Sequence, residues 1–229
     1  MKKFLDKLTK THLYWDVAVF DLVLVLLLVR WDALASWQRV TYGLMLVMCL
    51  HQVEEYRFPG GFPWGLNDFL GSKNPMCYPG NRLSASFVDI LAFVLAVPPL
   101  IWHCTPVLAV VYALFGCIEC CGHLAFGIKA WHKYRAKGKE TLYFPGSATA
   151  FLGFLPLGLV TFQELSRASL LAGDVWLRAA GILAVYTVFF FLLPTVLVYD
   201  KNSPYIYPRR GYFEKYAECS QMEMRQSNL

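Results

Sequence analysis

Charge is what this sequence has least of. Asp, Glu, Lys and Arg make up 16% of its 229 residues, too few to cover an ordinary water-soluble domain of that length. Also missing are an internal repeat and any break in composition that would mark off a separate soluble domain. The start, MKKFLDKLTKTHLYW, is basic but lacks the short apolar core and small-residue cleavage site of a secretory leader, so no cleavable signal peptide is expected. A disulfide framework is absent too. Of the seven cysteines, Cys49, Cys117, Cys120 and Cys121 fall inside apolar runs, Cys104 closes another, and Cys77 and Cys219 sit in loops assigned below to a reducing compartment. Cys117-x-x-Cys120-Cys121 has the spacing of a redox or zinc pair, but inside an apolar helix these residues read as small packing groups. The net charge of +5 does not indicate nucleic acid, because the basic residues are spread over the loops between apolar runs.

Apolar residues fill the space that charge leaves. They make up 57% of the chain, mean hydropathy is +0.42, and they come in blocks of about 20, the length a helix needs to cross a bilayer. The expected fold is all-α: a polytopic integral membrane helical bundle of about six transmembrane helices, forming one membrane domain over residues 1–229. The runs fall near 14–35, 40–58, 84–104, 106–131, 147–162 and 175–199, with 1–13 an amphipathic lead-in on the membrane surface and 200–229 a polar cytoplasmic tail. Pro98-Pro99 predicts a kink in the third run. With the N-terminus placed inside, only Arg30, Arg39, Arg167 and Arg178 of the 21 Lys and Arg residues are left outside. That balance favours N- and C-termini that are both cytoplasmic. A bacterial inner membrane is the expected home, with an endoplasmic reticulum as the alternative.

Into the second run falls a cluster of ionisable groups, His51-Gln52-Val53-Glu54-Glu55. At about 100° per residue, His51, Glu54 and Glu55 share one arc of a helix. Charge at membrane depth is costly and turns toward a protein interior or a wet cavity. The fourth run supplies Glu119 and His123, one turn apart. From the helical rise, His51 to Glu55 lie roughly 16–22 Å below the outer surface and Glu119 and His123 roughly 20–25 Å, so both sets occupy one layer. Asp21 and Asp89 reach a similar layer and are expected to line the same pocket. Asp16 is expected to snorkel to the surface, His103 to be interfacial, His132 to lie in a basic loop and Glu164 to be solvated.

His51, Glu54, Glu55, Glu119 and His123 admit two chemistries. Carboxylates and imidazoles projecting into a helical bundle can build a carboxylate-bridged di-metal centre or hold a single zinc with a bound water. Without metal, an imidazole beside carboxylates in a low-dielectric pocket suits acid–base work on an apolar substrate, such as moving a double bond or starting a cyclisation. Metal is favoured, with zinc, iron or manganese as the candidates, because adjacent carboxylates repel without a cation or a proton. The expected function is an integral membrane enzyme acting on a lipophilic or membrane-delivered small molecule, with membrane lipids as its other partners and no nucleic acid. Tyr143, Pro145 and Gly146 would shape the pocket mouth, and the loop from Pro59 to Trp64 its other lip. A proton or cation transporter is the rival reading, and a non-catalytic scaffold the third. Against transport, no acidic set continues through the outer half of the runs, and no inverted halves are visible.

His51-x-x-Glu54-Glu55, followed by an aromatic residue and the FPGGFPWG loop, resembles the HXXEE-domain proteins, small integral-membrane proteins named for that motif. A second histidine, here His123, and then Tyr143-x-Pro145-Gly146-x-x-Thr149 follow in the family's order, so the resemblance covers about residues 40 to 150. The family pattern often carries Asn where this chain has Glu119. The resemblance implies a membrane protein with a metal or catalytic centre, and no settled substrate. The His/Glu pairing alone is also similar to that of sterol-isomerase-like proteins, which protonate a lipophilic alkene; that analogy bears on mechanism only.

Overall fold

Helix is the only regular secondary structure among the described residues of the computed structural model, which are 2–216 apart from His103. The helices are α1 (Lys2–Thr11), α2 (Leu13–Val29), α3 (Ser36–Tyr56), α4 (Phe62–Phe69), α5 (Arg82–Ala92), α6 (Val97–Trp102), α7 (Pro106–Tyr134), α8 (Ser147–Thr149), α9 (Leu155–Arg167), α10 (Gly173–Tyr186) and α11 (Leu193–Leu197). Several of them join into longer rods. A 3-10 turn, Phe93–Leu95, links α5 to α6 just ahead of Pro98-Pro99, where the prolines remove backbone donors. The helix widens to a π-turn at Ala150–Phe154 and again at Thr187–Leu192, each ending two residues before a proline, Pro156 and Pro194. A wider turn relieves the clash between each proline ring and the carbonyl of the preceding turn.

Four of these rods are long and apolar enough to cross a membrane: Arg82–Trp102, Pro106–Lys137, Ser147–Arg167 and Gly173–Leu197. A fifth passes only if α1 and α2, bent by 51° at His12, are taken as one span. The remaining long rod is α3, whose polar residues lower its hydropathy although it has 21 residues. Burial explains the difference. α3 packs against α2, α7 and α9 and buries residues from Thr41 to Glu55 around much of its circumference. α10 buries only Ala179, Leu183 and Tyr186, while Leu177 and Val185 stand exposed on it and Val188 in the π-turn that follows. An apolar exterior of this extent fits lipid better than water.

The main core lies among α2, α3, α7, α9 and α10, with Val23, Leu44, Met45, Val110, Ala113 and Phe154 buried in it. A second, aromatic core gathers Trp64, Tyr134, Phe144, Phe213 and Tyr216. It corrects the expectation of a polar tail over 200–229. Phe213 is fully buried, and Lys139, itself buried, donates from Nζ to Tyr143 O (2.6 Å) and to Tyr212 Oη (2.9 Å), tying the loop before α8 to the C-terminal segment. Apolar and aromatic residues at 205–216 fold back because they have a core to enter; residues 217–229, Cys219 among them, lie outside the described residues. The lead-in is corrected as well: α1 packs on α5, and the His12 that follows it is buried against Asp89.

Candidate metal centre

The site lies between the two cores, where α3 crosses α7. His51 and Glu55 stand four residues apart on α3, as do Glu119 and His123 on α7, so each pair points from one helix face. Because the order of imidazole and carboxylate is reversed between the helices, each imidazole meets both carboxylates. His51 Nε2 lies 3.3 Å from Glu55 Oε1 and 3.7 Å from Glu119 Oε2. His123 Nε2 lies 3.2 Å from Glu55 Oε1 and 3.4 Å from Glu119 Oε2. The two Nε2 atoms are 3.3 Å apart. One donor atom from each of the four residues lies within 4.8 Å of all the others, so this set could hold a metal ion. His51, Glu55 and His123 are buried, and Glu119 keeps 25% of its side chain exposed.

Glu54 is a correction. It is buried beside the set but its carboxylate is spent elsewhere: Oε1 accepts from Tyr143 Oη (2.8 Å) and Ala148 N (3.0 Å), and Oε2 from Thr149 N (2.8 Å) and Thr149 Oγ1 (2.6 Å). It thereby caps the start of the Ser147–Arg167 rod, where free backbone N–H groups favour an anion. Without Glu54, the convergent donors suit one ion rather than two. Thr149 links it to the site, since Thr149 Oγ1 is 2.8 Å from His51 Nδ1. With the Thr149 proton directed to the Glu54 carboxylate, His51 Nδ1–H must donate to Oγ1, which leaves the lone pair of Nε2 facing the cluster. Such a partner fixes both the tautomer and the ring orientation of a ligating histidine. Sequence alone marks Thr149 only as part of a motif, because nothing local predicts a hydroxyl bridging two distant residues.

The remaining expected residues divide. Tyr143 reaches the site through Glu54, and burial, then that hydrogen bond, raise its hydroxyl pKa well above the ordinary tyrosine value. Pro145 and Gly146 are buried in the same loop. Gly146 has φ +98°, and a Cβ there would run into the His123 ring, so only glycine lets the loop close over that imidazole. Asp21 is exposed on α2 and takes no part. Asp89 is buried on another face of α5, paired with His12, and Asp16, expected at the surface, is buried in the same region. These three do not line the pocket, because a depth shared along the membrane normal does not imply a shared helix face. His132 is exposed and meets the Trp131 ring edge-on; Glu164 pairs with Arg167 (2.6 Å); His103 lies outside the described residues.

A cavity of about 260 Å³ opens onto the cluster, lined by His51, Gln52, Glu55 and Glu119 and otherwise mostly by apolar or aromatic side chains such as Phe62, Phe115, Leu183 and Phe191. Phe62, from the expected lip, packs its ring 5.4 Å from that of His123. Gln52 escaped the sequence reading, although it lies inside the motif. Its buried Oε1 has no hydrogen-bond partner and it faces this cavity. Cys120 Sγ donates to Ala150 O (3.1 Å), consistent with a packing role.

A family model described as a protein of unknown function with HXXEE motif matches residues 42–161. No curated protein and no solved structure matches the chain.

Proposed function

The chain belongs to the HXXEE family, and from that premise we propose that it is an integral membrane metalloenzyme acting on a lipophilic substrate. One observation carries the reading: four protein donors converge within 4.8 Å at the wall of a mainly apolar cavity. Bonds of about 2.0–2.2 Å in a tetrahedral zinc site put ligand atoms roughly 3.3–3.6 Å apart. The four imidazole–carboxylate separations, 3.2, 3.3, 3.4 and 3.7 Å, fall around that range, and the set as a whole, within 4.8 Å, would draw in slightly on an ion. Zinc is the first candidate on this ground, with iron and manganese behind it. Two protons are a poorer substitute. With both Nε2 atoms protonated, two N–H groups would face each other across 3.3 Å, whereas one divalent cation balances both carboxylates and uses both lone pairs.

Glu119 is the most exposed of the four donors; with His51, Glu55 and His123 holding the ion and Glu119 off it, the position left open would let a metal here polarise a substrate oxygen or activate a water. The chain's own residues do the rest. His51, held by Thr149, and His123, pressed by Gly146, fix the imidazoles. Glu119, partly open to the cavity, is placed to take or return a proton. Gln52 offers a free acceptor to orient the substrate, and Phe62, Phe115 and Phe191 exclude water. The bundle is read as six spans, α2 and α3 added to the four apolar rods, with both termini in the cytoplasm and the site in the cytoplasmic half.

A metal-free acid–base isomerase or cyclase is the second reading, favoured by imidazole–carboxylate distances that also suit hydrogen bonds. Metal analysis of the purified protein separates the two. One equivalent of zinc, iron or manganese, lost in Glu55→Gln and His123→Ala, is the expected result. Metal-free protein that keeps its cellular activity would replace this reading with the acid–base one, and proton or cation flux in liposomes would replace it with transport.

A further inference from the structure

Two more cavities adjoin the one at the His/Glu cluster, the first directly and the second through the first. The first, about 400 Å³, is walled largely by apolar groups such as Leu66, Leu70, Phe126, Leu192 and Val196. It shares Tyr56, Phe62, Val88 and Phe191 with the cluster's cavity. Leu70, Leu192 and Val196 are exposed, so this groove opens on the lipid-facing exterior beside α11. The second, about 410 Å³, differs in kind: Lys10, His12, Arg57, Arg82 and Arg209 line it, and no Asp or Glu does. It shares Tyr56, Ala85 and Tyr207 with the apolar groove. Tyr56 therefore borders all three spaces.

The cationic chamber is uncompensated. None of Lys10, Arg57, Arg82 and Arg209 makes an ion pair among the described residues. Of the buried carboxylates behind the chamber, Asp89 is engaged by His12 and Asp16 lies against Asp89; neither lines the chamber. The Arg209 guanidinium donates to the Arg57 carbonyl, which holds it at the chamber, and Arg82 Nε is shielded from solvent without a partner. Like charges gathered around one space repel unless an anion joins them. Guanidinium forks matched to several oxygens favour a phosphate over a single carboxylate. On α5, Arg82 and Ala85 line the chamber and Val88 the cluster's cavity, so Arg82 stands a rise of about 9 Å from that cavity and Ala85 about 4.5 Å.

We propose that the three spaces together accept one long-chain phosphate ester, with its phosphate in the chamber of Lys10, Arg57, Arg82 and Arg209 and its chain in the apolar groove. The bonds nearest the headgroup then lie at the His/Glu centre; this last clause rests on the function proposed above. The chamber faces solvent as well, since Lys10, Arg57 and Arg209 are exposed, so inorganic phosphate is the other possible source of the anion.

Displacement of radiolabelled dodecyl phosphate from the purified full chain in neutral detergent tests the assignment. Unlabelled dodecyl phosphate is expected to compete at least tenfold better than dodecanol and than inorganic phosphate. Arg82→Gln and Arg209→Gln should each weaken binding at least fivefold, with Arg82→Lys recovering part of it, while metal content stays unchanged. Equal competition by dodecanol, or full binding in both glutamine variants, overturns the proposal. Equal competition by inorganic phosphate also overturns it and gives the chamber to the free anion. The His123→Ala protein is measured in parallel. Headgroup binding that persists without metal keeps the failure of the metal centre separate from that of the chamber.

Discussion

Thr149 illustrates how, under the proposed function, a side chain outside the donor set would govern the ion it holds. Its hydroxyl joins His51 Nδ1 to the Glu54 carboxylate over 2.8 and 2.6 Å. Thr149→Val keeps the shape and removes the bridge, leaving the His51 tautomer unset. Metal affinity is expected to fall about 10–100-fold with stoichiometry restored at saturating metal, as chelator competition would measure. Tyr143→Phe removes a hydrogen bond to a carboxylate, worth about 1.5–3 kcal/mol. The pKa of Tyr143 is raised in the fold, so its contribution is complete below the unfolded value of about 10 and is lost as pH rises through the folded value. Thermal melts should therefore decline in strong alkali for the native protein and less steeply for Tyr143→Phe.

At the scale of elements, the site depends on a loop lying down over a helix face. The segment from Tyr143 to Gly146 is held by Lys139 below it and by Glu54 at the start of α8. At Gly146 it meets the His123 ring without a Cβ between them. Gly146→Ala is expected to cost about 1–2 kcal/mol for the left-handed backbone alone and to push His123 away. The measurable result is loss of metal from a protein that still folds. Gly127 serves the same contact from the other side, since a Cβ there would strike the Leu142 carbonyl. A close approach of this sort leaves no local trace beyond the glycine itself.

For the molecule as a whole, a site built from two long helices and a loop couples ligand binding to global stability. An ion that binds the folded state alone stabilises it by about 2.7 kcal/mol at a hundred times its Kd. Chelation should lower the melting midpoint by about 5–10 °C in a chain of this size, and should leave that of His123→Ala unmoved. The same scale explains the hydropathy count. α3 carries His51, Gln52, Glu54 and Glu55, so it reads as the least apolar of the long helices, yet it is central to the bundle. Its apolar neighbours shield it from lipid.

The residues themselves determined a great deal. Blocks of apolar residues about a span long dictate helices, and the four-residue spacings of His51 with Glu55 and of Glu119 with His123 dictate two faces that present donors. Charge at that depth must point inward, which is why the cluster was legible before any coordinates. What spacing along one helix cannot encode is rotation about its axis relative to another helix. Only tertiary packing decided that Glu54, one residue from Glu55, turns to cap Ser147–Arg167, and that Asp21 and Asp89 face away. The same holds for the aromatic end of the chain, which looks polar in composition and folds into a core because Trp64, Tyr134 and Phe144 leave a space that Phe213 fills. Hydrophobic burial sets which residues go inside, and the geometry of crossing helices sets which of them meet.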